Sequence, residues 1–398
     1  MKDKIQESLK GIMADLYSSA EFNVDDFIIN IQDNKEKQYG DLASNIALIL
    51  AKPLKRNPKE IANEIKEKFV IDEEIIKVEV AGPGFINFFL SKKSHGSVLN
   101  EIFLRNKVKG KYKFDYNLSK HSWFGIGGNA EIFYTPSSLE ELQLVLTAKE
   151  EDIDVTVIGL GSNIIIRDGG ITGLVIRLGN EFSNIYHDKN IVFAGAAVQD
   201  KVLSKYCLKN SIIGFEFYSG IPGTVGGAAR MNAGCFGSET KDIFIKAKCV
   251  SNQGELMELN YSEELFSYRK NNFLDKHIVC EVQFNKEIGD PLIINKRIIE
   301  INDQRKDTQP QKVMTAGSTF KNPFDRSELK AWQLIDKAGL REYELNGVSF
   351  SEKHANFIVN RQKDSANLIE DFGENIKKEV KSRLGIELEW EIKILGNR

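Results

Sequence analysis

Two short stretches of this chain concentrate glycine in a way that suits binding of phosphates and flat rings. In VTVIGLGSNIIIRDGGITGLVIRLG, residues 155 to 179, β-branched runs are split by glycine turns. Gly159 and Gly161 invite a dinucleotide-fold reading, but that fold needs a helix after the glycines and a third glycine in register. Ile164-Ile165-Ile166 reads as a strand instead. The segment therefore predicts strand, glycine turn, strand, glycine turn, strand. The exposed amides of its first turn can form an anion nest for a pyrophosphate without a helix dipole. The second stretch, SGIPGTVGGAARMNAGCFG at 219 to 237, is too rich in Gly and Ala for an ordinary packed helix. Its small residues allow close backbone approach to a flat or phosphorylated ligand, or else a tight loop between strands. Two such loops in one domain favour the ligand.

Other chemistry is sparse on local grounds. Ser318, in Gly317-Ser318-Thr319-Phe320, does not sit in the G-x-S-x-G elbow of a nucleophilic serine. Cys207, Cys235, Cys249 and Cys280 contain no CxxC pair and have no His at ligand spacing, which indicates neither a metal site nor a disulfide framework and suits a reducing cytoplasm.

The elements that must position these groups follow from patterning. With 398 residues and 41% apolar content the chain can bury substantial cores in two or more domains. A net charge of -3 provides no overall basic footprint, so any RNA contact is local. The N-terminal MKDKIQESLKGIMADLY interleaves charge and apolar residues at helical spacing, unlike a signal peptide. No apolar run approaches the roughly 20 residues of a membrane span. Asn57-Pro58-Lys59-Glu60 starts a helix carrying Ile61, Ile65 and Phe69. Val78 and Val80, the turn Gly82-Pro83-Gly84, and Phe85 to Leu90 predict a hairpin. Phe85, Phe88 and Phe89 fit either base stacking or, preferentially, a core. Lys52, Lys55, Arg56 and Lys59 fit either a phosphate-facing patch or a solvated helix end. Near the C-terminus, Trp332, Leu334 and Ile335 lie in a helix ending near Gly339. A second helix runs from Asp364 to Leu384 and stops at Gly385. IELEWEIKIL then alternates as a strand, with Ile386, Leu388, Trp390, Ile392 and Ile394 on one face and Glu387, Glu389, Glu391 and Lys393 on the other. Periodicity does not say which glutamate faces a site rather than water.

Taken together, SWFGIGGNAEIFYTP (122–136), GLGSNIIIRDGG (159–170), GIPGTVGGAARMNAG (220–234), SYR (267–269), AGSTFKNP (316–323), HANFIVN (354–360) and LEWEIKILG (388–396) closely resemble the UDP-N-acetylenolpyruvoylglucosamine reductase (MurB) family, collinearly over about 107–398. The resemblance implies a two-subdomain α+β FAD-binding fold of the vanillyl-alcohol-oxidase (PCMH) type, then an α+β substrate-binding domain. NADPH would reduce FAD, and UDP-N-acetylglucosamine enolpyruvate would be reduced to UDP-N-acetylmuramate for peptidoglycan. Carried over by motif, Ser318 is the proton donor, Arg269 grips the substrate carboxylate, and Glu391 polarises or protonates the same group. Lys321 and Asn322 match substrate-binding positions. Gly159, Gly161, Ser162 and Asn163 would cradle the FAD pyrophosphate, while Ser219, Gly220, Ile221, Pro222 and Gly223 would line the flavin. Gly125 replaces a basic residue common in the family, and Leu345-Asn346-Gly347 replaces a double glycine. The chain between Phe284 and Gln309 is too short for a tyrosine-bearing substrate lid, as in the lidless type II subclass.

The first hundred residues resemble something else. YGDLASNIALILAKPLKRNPKEIANEI (39–65) and VEVAGPGFINFFLS (78–91) are similar to the N-terminal additional domain of arginyl-tRNA synthetases, which contacts the tRNA elbow. No HIGH-type signature or KMSKS-like loop follows, so aminoacylation is excluded. The implied organisation is a tRNA-synthetase-like α+β module over 1–105, an FAD-binding domain over 106–288 and a substrate-binding domain over 289–398. A regulatory or RNA-binding fusion with a degenerate flavin domain is the alternative; retention of Ser318, Arg269 and Glu391 argues against it.

Overall fold

The computed structural model describes residues 2–18, 27–34, 39–72, 75–90, 95–362 and 365–398. It divides into two compact units, Met1–Ser94 and His95–Arg398.

In the first unit, helices Lys2–Leu16, Ile46–Leu54 and Pro58–Lys68 accompany a four-stranded antiparallel sheet ordered 31–33, 42–44, 85–90, 75–81. The helix at Pro58 begins as its sequence requires: Asn57 Oδ1 accepts the Lys59 amide at 2.9 Å, and proline occupies the first helical position. Its Ile61 and Ile65 pack with Ile5, Leu9, Leu50, Ile86 and Phe88 in one core. The three hairpin phenylalanines do not act as a set. Phe88 is buried, Phe85 is exposed, and half-buried Phe89 lies beneath the Lys77 ammonium, 4.9 Å from the ring centroid. Strand alternation puts Phe88 on the face opposite Phe85 and Phe89. The basic cluster is likewise thinned, because Arg56 binds Glu64 through both terminal nitrogens.

The second unit begins with the helix His95–Arg105, earlier than the boundary near 105 read from sequence. Leu99 and Phe103 of that helix are buried with Ile132, Tyr134, Leu142 and Leu174. The accompanying sheet is ordered 111–117, 129–135, 171–176, 155–157, with the last two pairings parallel. A five-stranded antiparallel sheet follows, ordered 185–187, 191–195, 278–285, 244–250, 256–260. Helix Pro291–Thr308, just past the split expected at 289, packs against the 3-10 turn Glu216–Gly220 and helix Asp200–Lys209 of the preceding part. The remaining C-terminal elements, helices Ala331–Lys337 and Ala366–Leu384 and the strands around 344–360, enclose their own core with Phe320, Phe350 and Phe372. Asp364 lies outside the described residues; the helix starts at Ala366, capped by Ser365 and by Asp168, whose carboxylate accepts the Ala366 and Asn367 amides.

Two local expectations change. The Gly/Ala-rich stretch does contain a helix, Val225–Arg230, capped by Thr224, with Ala228 and Ala229 buried. The alternating C-terminal segment is not one strand. Only Lys393–Leu395 is, and it pairs in parallel with Ile164–Ile166 of the first glycine segment. Trp390 instead packs on Gly373 and donates its indole N–H to Glu374 at 2.6 Å.

Candidate active site

The turn after Val157 has free amides. Among the described residues, none of the backbone N–H groups of residues 159–163 donates to a backbone carbonyl, which is the arrangement an anion nest requires. Gly161 has φ +73°, and a Cβ there would collide with the His121 carbonyl. Asn163 ties the turn to the C-terminus: its side-chain nitrogen donates to the Glu391 carbonyl at 3.1 Å, and its own carbonyl accepts the Lys393 amide at 3.0 Å.

The second loop presents equally close backbone. A Cβ on Gly220 would lie 2.8 Å from Ile301 Cγ2, and one on Gly223 would lie 2.6 Å from Asp200 Oδ2. The buried Ser219 hydroxyl finds no hydrogen-bond partner among the described residues. A buried polar atom without a partner costs about 1–3 kcal/mol, so a bound ligand that satisfies it is favoured. Free amides, close-packed glycines and an orphaned hydroxyl fit a dinucleotide with a flat ring. Ile221 and Pro222 continue the same loop.

Arg269 and Glu391, 122 residues apart, meet in an ion pair, Nε to Oε1 at 3.0 Å, with side chains 19% and 12% exposed. Burial raises the Glu391 pKa above the ordinary carboxylate range, and Arg269 opposes that rise. Arg269 adopts φ +58°, a left-handed conformation that is costly for any residue carrying a Cβ and that clusters at functional positions. Its guanidinium lies over Tyr268, 5.1 Å from the ring centroid. Only Nε is engaged, so both terminal nitrogens lack a hydrogen-bond partner among the described residues. Asn232 supports this loop from below by donating to the Ser267 carbonyl at 3.2 Å.

Ser318 follows Gly317, whose φ is +84°. Its neighbours pair with the Glu391 segment: the Glu391 amide donates to Thr319 O at 2.8 Å, and the Lys321 amide donates to Glu389 O at 2.9 Å. This two-stranded contact brings the backbone next to Ser318 against that of Glu391. Glu389, one residue from Trp390 on the other side, points instead to Lys321 at 3.4 Å and to Arg326. A cavity of about 330 Å³ opens here, lined by Tyr268, Lys321, Asn322, Phe324, Arg326 and Glu389. Asn322 accepts the Ala331 amide at 3.0 Å and hydrogen-bonds Tyr268. Sequence reasoning passed over Tyr268 and Asn232. Tyr268 lay inside a quoted motif, whereas nothing local distinguishes Asn232 beyond its place in Asn232-Ala233-Gly234.

Both departures from the family pattern are sterically explained. Gly125 has φ +71°, with its Cβ direction facing Met314 Sδ at 3.2 Å. Asn346 takes φ +46°, a left-handed conformation asparagine tolerates, before Gly347 at +86°.

Comparison with known proteins agrees with this geometry. Residues 309–395 match the family model for the UDP-N-acetylenolpyruvoylglucosamine reductase C-terminal domain, and residues 130–260 match that for an FAD binding domain. Residues 1–90 match the model for the arginyl tRNA synthetase N-terminal domain. The UDP-N-acetylenolpyruvoylglucosamine reductase of Rickettsia massiliae is 45% identical over 289 residues, covering 73% of this chain and 97% of that protein. Its counterpart in Rickettsia rickettsii is 46% identical with the same coverage. The crystal structure of the reductase from Thermus caldophilus superposes with a TM-score of 0.61 at 30% identity, over 73% of this chain and all of that one. With these matches, the free-amide turn and the Arg269–Glu391 pair, the chain belongs to the UDP-N-acetylenolpyruvoylglucosamine reductase family.

Proposed function

We propose that this chain is an FAD-containing, NADPH-dependent reductase that converts UDP-N-acetylglucosamine enolpyruvate to UDP-N-acetylmuramate in the cytoplasm, for peptidoglycan synthesis. The observation that carries this reading is the convergence of Arg269, Glu391 and Ser318 against the glycine turn. The amides of 159–163 and the loop 219–223 hold FAD, which when bound supplies the hydride for the enolpyruvyl methylene carbon. The free guanidinium fork of Arg269 takes the substrate carboxylate with two parallel hydrogen bonds and stabilises it as charge builds there. Glu391, whose pKa burial raises against the pull of Arg269, polarises the same group. The Ser318 hydroxyl delivers the proton to the α-carbon. Lys321 and Asn322 hold the sugar nucleotide across the adjoining cavity.

Replacing Ser318 with Ala tests the assignment. Proton delivery belongs to the second half-reaction only, so flavin reduction by NADPH should be nearly unchanged while reoxidation by the enolpyruvyl substrate slows about 100- to 10,000-fold or more. Stopped-flow traces in which both half-reactions slow equally would overturn it.

For the first unit, the match over residues 1–90 favours weak tRNA contact. With Arg56 held by Glu64, the patch reduces to Lys52, Lys55 and Lys59. The slope of log affinity against log salt should then be no steeper than about -3. No gel shift at low ionic strength would dispose of this reading.

A further inference from the structure

Helix Pro291–Thr308 places an arginine that no motif singles out beside the flavin loop. A Cβ built on Gly220 lies 3.3 Å from Arg305 Cδ and 3.3 Å from Cys235 Sγ, so the Arg305 stem packs against the backbone at Gly220. The side chain is half-buried. Its guanidinium makes no hydrogen bond or ion pair with any described residue, although Arg297 on the same helix pairs with Glu300. The charged groups around it do not compensate. Arg269 and Arg297 also face Cys235, and the nearby acid, Asp200, is fully buried and driven toward its neutral form by desolvation. A partly desolvated cation with no anionic partner among the described residues is satisfied by an anion from elsewhere.

We propose that Arg305 supplies the fixed positive charge that stabilises the reduced, anionic flavin. This inference rests on the FAD reading above. Hydride transfer from NADPH moves two electrons and one proton to flavin N5, releases NADP⁺ and leaves one negative charge delocalised over the N1–C2=O edge. The pyrophosphate already has its own cradle in the amides of 159–163, whereas Arg305 lies at the ring-lining loop. A cation there favours the reduced form over the neutral oxidised one. Arg305 is thus a tuning residue for the cofactor and takes no part in proton delivery.

The test uses full-length protein loaded with FAD. Arg305→Gln should bind oxidised FAD within tenfold of wild type but favour the reduced form at least tenfold less. For a two-electron couple this lowers the midpoint potential by about 30 mV or more. Arg305→Lys should recover most of the loss. An unchanged potential at full flavin occupancy would overturn the proposal. So would a loss of FAD affinity without a potential shift, which would assign Arg305 to the pyrophosphate, or a change confined to KM for the sugar nucleotide. Should Arg305→Gln fail to fold, wild-type protein still decides: sulfite adds readily to flavins that have a cation near N1, and a wild-type flavin inert to sulfite would overturn the assignment. Wild-type protein that takes up no FAD at all would instead refute the flavin reading itself.

Discussion

Truncation at the junction gives a sharp test of where the reductase begins. The helix His95–Arg105 buries Leu99 and Phe103 completely or nearly so, with half-buried Val98 and Ile102 alongside. The Phe103 ring lies 4.4 Å from that of Tyr112 and 5.1 Å from that of Tyr134, centroid to centroid. Truncating a buried Phe typically costs about 3–5 kcal/mol and a buried Leu about 2–5 kcal/mol. Removing the whole helix therefore costs about 5–10 kcal/mol, which is comparable with the total stability of a typical domain, about 5–15 kcal/mol. A protein starting at Asn106 should be largely unfolded or aggregated and flavin-free, although every residue assigned to chemistry is present. One starting at Lys92 should fold, take up FAD and turn over near the full-length rate. In the full-length chain, Phe103→Ala should lower the urea midpoint of flavin release without changing turnover at low temperature. The assay is flavin content after purification, followed by urea melts read by flavin fluorescence. Equal stability and flavin occupancy of the proteins starting at 92 and at 106 would refute the packing argument.

Further outcomes concern the site and its surroundings. Arg269→Lys keeps the charge but loses the planar fork that the free terminal nitrogens present; turnover should fall at least about tenfold with flavin content unchanged, and full activity would show the substrate carboxylate binds elsewhere. Burial holds Glu391 above the ordinary carboxylate range, so its protonated fraction falls as pH rises through that raised value. The rate of flavin reoxidation by substrate should fall with it, and Glu391→Gln should be slower but lack that pH limb; an unaltered pH profile in the variant would refute the role. Asp200 is buried with neither oxygen partnered among the described residues, and desolvation raises its pKa well above the usual value. The native state thus retains a proton that the unfolded chain releases, so stability is full below the unfolded pKa and is lost as pH rises toward the native one. Asp200→Asn should therefore gain melting temperature over wild type progressively as pH rises above the ordinary aspartate range, and a difference independent of pH would contradict the argument.

Local chemistry was legible before folding was considered. Glycine turns split the strands at Val155–Val157, Ile164–Ile166 and Ile171–Ile176 as the residue types dictate. Asn57-Pro58 begins a helix, and Gly82-Pro83-Gly84 turns a hairpin. The collinear motifs identified the family and named Ser318, Arg269 and Glu391, because that information lies in residue type and order. The tertiary structure decided what depends on the chain's return. Alternation could not choose among Glu387, Glu389 and Glu391. Pairing of 319–321 with 389–391 turns Glu391 onto Arg269 and leaves Glu389 with Lys321 and Arg326. The parallel pairing of 164–166 with 393–395 leaves no local signal, since each strand satisfies its backbone with a partner more than two hundred residues away. The start of the catalytic unit was misplaced for a similar reason. Helix His95–Arg105 has apolar spacing that would suit either neighbour, and only the pocket formed by Ile132, Tyr134, Leu142 and Leu174 determines which core Leu99 and Phe103 complete.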